Sequence, residues 1–168
     1  MKNAITVATI FVLATIVAPA AAAPVPSDKA QIEALEAQYA AAFNAKDVDA
    51  IMKLYVPDES LFVFDAAPPR QYVGAKAYRK DWQDFLASFK GPIKMELSDL
   101  AVTTDGKLGF SHSVQHVAGT DTKGKPAEFT VRVTDAYEKI AGKWLIVEEH
   151  VSFPVDPGTG KADLMSKQ

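Results

Sequence analysis

Asp135 is the residue most at odds with its neighbours. It falls in the alternating series Phe129, Val131, Val133, Tyr137, and that period marks a strand with one buried face. A bare carboxylate is too costly to bury there, so Asp135 is either paired or looks into a cavity. On the preceding β-rich run, His112 and His116 share the parity of Leu108, Phe110 and Val114 and are expected on the same inner face. Four residues at about 3.3 Å each put the two histidines roughly 13 Å apart. That is too far for bonds of about 2 Å to one metal ion, so no metal site and no other cofactor is implied. The chain has no Gly-rich phosphate loop, nucleophile elbow or metal-ligand cluster, which disfavours phosphoryl transfer, serine hydrolysis and metal hydrolysis. It does have an ample aromatic supply in Tyr39, Phe43, Tyr55, Phe62, Trp82, Phe85 and Tyr137. Such residues suit a pocket for a small apolar organic ligand held by few polar anchors.

These groups must be positioned by helices first and strands after. Ser27 and Asp28 are N-cap candidates for a helix carrying Ile32, Leu35, Tyr39, Ala42 and Phe43 at helical spacing. Asp47 can cap a shorter helix with Val48, Ile51, Met52, Leu54 and Tyr55, stopped by Pro57. A short strand, Leu61 to Phe64, leads to Asp65 and the rigid Pro68-Pro69 loop. Gly74 precedes a third helix whose Tyr78, Trp82, Phe85, Leu86 and Phe89 keep one face apolar, with Gly91-Pro92 as its terminator. From Ile93 the period becomes alternating, and strands are expected over 93–103, 107–118, 127–140 and 143–153, separated by Asp105-Gly106, Lys123-Gly124 and Ala141-Gly142. That order predicts an α+β fold, a long twisted antiparallel sheet with three helices on one face.

The register of the last hairpin decides what Asp135 meets. A two-residue Ala141-Gly142 loop would put it with Glu148 and His150, and a three-residue loop ending at a left-handed Gly142 would put it with Glu149 and Val151. Ala is a poor first residue for a type I′ turn, which favours the second arrangement. Leu145, Val147, Val151 and Phe153 then face inward, and Arg132, Thr134, Trp144, Ile146, His150 and Ser152 face outward. An outer face with so much aromatic and aliphatic area is a candidate homodimer surface.

The 168 residues carry a formal net charge of −3 and no cysteine. Lys2, the apolar run from Ala4 to Val17 and the small residues Ala18 to Ala23 read as a signal peptide over 1–23. Its apolar run falls short of the roughly 20 residues a spanning helix needs, so the expected product is secreted or periplasmic, with no membrane attachment after cleavage. Residues 28–156 form the expected domain, and 157–168, rich in Gly, Lys and Ser, a flexible tail. The basic residues are scattered without an aromatic-basic stripe, which argues against nucleic acid as a partner.

Three stretches resemble the nuclear transport factor 2-like superfamily, which includes SnoaL-like proteins and ketosteroid isomerases. They are Tyr39 to Asp47 with Ile51 and Tyr55, Arg132 to Thr134, and Gly142 through Trp144 to His150 and Ser152. The resemblance implies a cone-shaped domain, a curved antiparallel sheet wrapped around three N-terminal helices with a pocket at the wide end, commonly dimeric through the sheet. Set against a ketosteroid isomerase, Tyr39 falls at the oxyanion-hole tyrosine. Asp65 lies near the general base, about two residues displaced. Asp135 lies near the acid that donates the second oxyanion hydrogen bond. Such a trio would abstract a proton beside a carbonyl and hold the enolate oxygen on two neutral donors. Its pocket would draw on Tyr55, Trp82, Phe85, His112, His116, Tyr137 and Glu149. The fold hosts enzymes, binders and assembly modules alike, so a non-catalytic ligand-binding or dimeric assembly module stands as the alternative.

Overall fold

The computed structural model describes residues 25–166; the leader expected over 1–23 lies outside them. Helix α1 (Asp28–Asn44) starts where Ser27 caps the Ala30 N–H at 3.2 Å. It buries Ile32, Leu35, Tyr39, Ala42 and Phe43 along one stripe, and Glu36 lies on that stripe with them. Lys46 adopts a positive φ of 56°, and Asp47 then caps α2 (Val48–Met52) through the Ala50 N–H at 2.9 Å. The segment after α2 is fastened to the sheet, with Val56 N bonding Ile146 O at 2.9 Å and Ile146 N bonding Leu54 O at 2.8 Å. This places Tyr55 over the last strand.

Strands β1 (Phe62–Phe64) and β2 (Tyr72–Val73) are short. Helix α3 (Ala75–Ala87) ends earlier than Gly91-Pro92 would require, because Ser88 caps it and Phe89 already belongs to the sheet. Strands β3 (Phe89–Thr104), β4 (Leu108–Asp121), β5 (Pro126–Ile140) and β6 (Lys143–Ser152) form the meander. The six strands make one sheet in the order β2-β1-β6-β5-β4-β3, antiparallel except where β1 joins β6. The fold is α+β, as expected, with α1 lying against β3. Asn44 clamps that contact, accepting from Met95 N at 2.6 Å and donating to Met95 O at 3.3 Å.

Strand β4 faces the other way from the expectation. In β5, Val131, Val133, Asp135 and Tyr137 are all buried, so their direct partners across the ladder must share that face. Those partners are Gln115, Ser113, Ser111 and Gly109. Ser111, Ser113, Gln115 and Val117 are accordingly 0–3% exposed, whereas Leu108 and Phe110 are 58% and 52% exposed. His112 and His116 therefore lie on the outer face, opposite Thr134 and Thr130.

The last hairpin also departs from expectation. Its loop has two residues, Ala141 and Gly142, both at positive φ (49° and 81°), with Ile140 paired to Lys143. A bulge then shifts the ladder by one residue. Tyr137 pairs with Ile146, but Ala136 pairs with Glu148 and Asp135 with Glu149. A bulge reverses which side chains point inward. Before it Trp144 and Ile146 are buried; beyond it Glu149 is. Trp144 is thus removed from the outer face. Its Nε1 donates to Asp28 at 3.0 Å, beside the Lys139–Asp28 ion pair. The segment after Asp156, expected to be a loose tail, folds back on β5. Thr130 N bonds Leu164 O at 2.8 Å, and Val155 pairs with Ala162.

Candidate functional site

Between α1, α3 and the inner sheet face lies a cavity of about 220 Å³. Its wall is mostly aromatic. Tyr39 and Phe43 come from α1, and Tyr78, Trp82 and Phe85 from successive turns of α3. Trp82 organises them, with its ring centre 5.9 Å from Tyr39, 5.8 Å from Phe43 and 5.7 Å from Tyr78, all edge-on. Such contacts suit the ring quadrupoles and stiffen the wall. Three carboxylates interrupt it: Asp65, Asp81 and Glu149.

Glu149 forms the floor. The Tyr55 hydroxyl donates to its Oε2 at 2.6 Å and the Tyr78 hydroxyl to its Oε1. Asp135 stands beside it across the strand pair. Burial pushes Asp135 well above the usual carboxylate range, with the Glu149 and Glu36 carboxyls adding to the shift. Burial also raises Glu149, but hydrogen bonds from Tyr55, Tyr78 and Asp135 oppose the rise. Both carboxyls are thus pushed toward the protonated form, Asp135 the further of the two, so Asp135 is the donor where the pair shares a proton. Deeper still, Ser111 bonds the Tyr137 hydroxyl at 2.8 Å and Tyr137 donates to Glu36, whose carboxyl is also raised by burial.

Asp65 sits at the rim, where β1 ends. Burial, helped by Asp81 and Glu149, raises its pKa to about 6, against one opposing hydrogen bond from Ala66 N at 2.5 Å. Asp81 accepts from the Tyr72 hydroxyl at 2.5 Å. Among the described residues no Lys, Arg or His forms an ion pair with Glu36, Asp65, Asp81, Asp135 or Glu149. A group near pH 6 at the rim can take a proton from a bound molecule at neutral pH. Burial, with the surrounding carboxyls adding to it, pushes the Tyr39 hydroxyl well above the usual tyrosine range, so it keeps its proton and can donate it in a hydrogen bond.

The structure brings together Tyr39, Asp65, Trp82, Phe85 and Glu149 at the cavity wall. Tyr55 reaches it only through Glu149, and Tyr137 belongs to the layer beneath. Asp135 is buried but is not part of the wall, because Glu149 stands beside it in the lining. His112 and His116 are across the sheet from the cavity; His116 bonds Thr130 at 3.1 Å and Glu128 at 3.1 Å. Arg132, Thr134 and His150 are exposed on that outer side and Ser152 is half-buried, with His150 packed on Phe64 at 5.6 Å. Sequence reasoning missed Glu36, Asp81 and Gln115, and took Tyr78 only as core. Glu36 had a visible signal, an acid one turn from both Ile32 and Tyr39 on the apolar stripe.

A SnoaL-like domain model matches residues 32–156. A nuclear transport factor 2-like protein of unknown function from Pseudomonas putida superposes with a TM-score of 0.75 at 28% identity, over 83% of this chain and 96% of that one. A nuclear transport factor 2-like superfamily protein from Salmonella enterica gives 0.70 at 17%, over 80% and 96%. A ketosteroid isomerase-like protein from Erwinia carotovora gives 0.64 at 20%, over 76% and 97%. These last two likenesses speak for the fold alone. No curated protein matches the chain at a significant level.

Proposed function

The chain belongs to the SnoaL-like domain family, and on that footing we propose that it is an exported pocket protein that binds a small, mostly apolar organic molecule and moves protons on it, in an isomerase-, dehydratase- or cyclase-type reaction. The observation that carries this reading is Asp65, a cavity-wall carboxyl with a pKa of about 6. Above that pH it is ionised and basic enough to abstract a proton beside a carbonyl. Tyr39 is a donor available to the developing oxyanion, since no hydrogen bond engages its hydroxyl among the described residues. Asp135 acts behind the wall, holding Glu149 in place, rather than as a second oxyanion donor. The apolar run from Ala4 to Val17, read as a leader, supports export. Pairing with a second copy is part of the proposal, through an outer face that offers Phe110, His112, Arg132, Thr134, His150 and Ser152 but not Trp144.

The test is proton exchange at carbon. Cyclic ketones and enones in D2O are followed by NMR with and without the protein. Enzyme-dependent deuterium uptake is expected, falling by about 10²–10⁴-fold in Asp65→Asn and by about 10²-fold in Tyr39→Phe. Exchange that ignores both substitutions sinks the catalytic reading. The position of Asp135 favours one second reading, a non-catalytic binder, because the second oxyanion donor that the resemblance implied is absent from the wall. Saturable ligand binding without exchange would select it.

A further inference from the structure

Among the described residues, the cavity wall holds three carboxylates and seven aromatic residues but no Lys, Arg or His. No cation among the described residues pairs with the acids of the wall or of the layer behind it. Glu36 on α1 and Asp135 and Tyr137 on β5 lie behind the wall, and Tyr55 and Tyr72 contribute hydroxyl donors only. Arg79 and Lys80 of α3 pair instead with Asp49 and Asp84. Carboxyls buried without a counter-charge are costly, and a cation arriving with the ligand relieves that cost. A metal ion does not fit, since among the described residues no group of three or more His, Cys, Asp or Glu could hold one. An organic ammonium does fit, because ring faces and nearby carboxylates together replace its lost hydration. A second, independent mark of an occupant comes from two wall residues with orphaned donors, Trp82 Nε1 and Gln115 Nε2, in side chains 7% and 3% exposed. Orphaned buried donors ask for an acceptor oxygen.

We propose that the cavity selects a small ring-bearing amine, bound as its ammonium beside Asp65, Asp81 and Glu149, with a hydroxyl or carbonyl oxygen in the same molecule meeting the Trp82 and Gln115 donors. The inference rests on the pocket reading above and names its ligand class. Three probes share a phenyl ring and a hydroxyl and differ only in the terminal group: 2-amino-1-phenylethanol, 1-phenyl-1,2-ethanediol and mandelate. Calorimetric titration at pH 7.5 should rank the amine at least tenfold tighter than the diol, with mandelate weakest. Asp65→Asn and Asp81→Asn, each checked for an intact melting transition, should each weaken the amine several-fold and leave the diol unchanged. A diol that binds as tightly as the amine, or an amine indifferent to both substitutions, overturns this inference while the pocket stands. If none of the three binds, the amine inference falls, and the pocket reading is decided separately by deuterium uptake into the ketones and enones.

Discussion

At the rim of the cavity, Asp65 accepts a single backbone hydrogen bond, faces Asp81 and titrates at about 6. At the floor, Glu149 sits on two tyrosine hydroxyls with Asp135 beside it, and Glu36, Tyr137 and Ser111 fill the layer beneath. Both regions gather acids without cations, yet they differ in what each acid can exchange with. The rim carboxyl is half-buried and open to the cavity, so its proton can pass to solvent or ligand. The floor acids are sealed, and their protons are shared among fixed partners. Chemistry therefore belongs to the rim, and the floor serves as the rigid, negative base on which a ligand rests.

The strongest way to break this contrast is to remove the floor's anion. Glu149→Ala strips an acceptor from Tyr55, Tyr78 and Asp135 at once, which should cost about 3–5 kcal/mol, or on the order of 10 °C in Tm for a domain of this size. A drop of only a degree or two would mean the floor is not structural.

The pH dependence of stability sharpens the rim side. Because the folded pKa of Asp65 is raised from 3.8 to about 6, the folded state holds that proton more tightly than the unfolded one. The associated stability is fully present below 3.8 and is lost as pH rises through about 6. Asp65→Asn should match the wild type in thermal melts at pH 4 and exceed it at pH 7. Parallel curves across that range would place Asp65 outside the buried environment described.

Asp135→Asn should do little to stability, about 1 kcal/mol or less, since an amide N–H can still donate to Glu149. A loss as large as that of Glu149→Ala would mean Asp135 is itself the floor's anion. His112→Ala, on the exposed outer face, should change stability by no more than about 0.5 kcal/mol. A core-sized loss would restore the inner-face placement of that strand.

The two sheet strands that built these expectations show what was legible. In β5 every inner position from Phe129 to Tyr137 except Asp135 is apolar, so parity, and the anomaly of the acid, could be read directly. In β4 the same rule inverted the strand, because Ser111, Ser113 and Gln115 point inward to serve buried tyrosine and cavity, and Leu108 and Phe110 are left outside. Counting apolar residues fails where a wall must be polar. The hairpin is subtler. The loop is one residue shorter than expected and the bulge adds one back, so Asp135 still meets Glu149 while Trp144 and Ile146 change sides. Register beyond a bulge has no local signature. The helices were legible because capping residues and stripe coincide, but β2 is two residues long and exists only through its pairing with β1.

The contrast between rim and floor is tested most directly by carbon-detected NMR titration of the Asp and Glu carboxyls, assigned with Asp65→Asn and Asp135→Asn. Expected is an Asp65 carboxyl that titrates with a midpoint near 6, while the Asp135 carboxyl holds its proton well above the usual carboxylate range. An Asp65 midpoint near 4 together with an ionised Asp135 at pH 7 would contradict it.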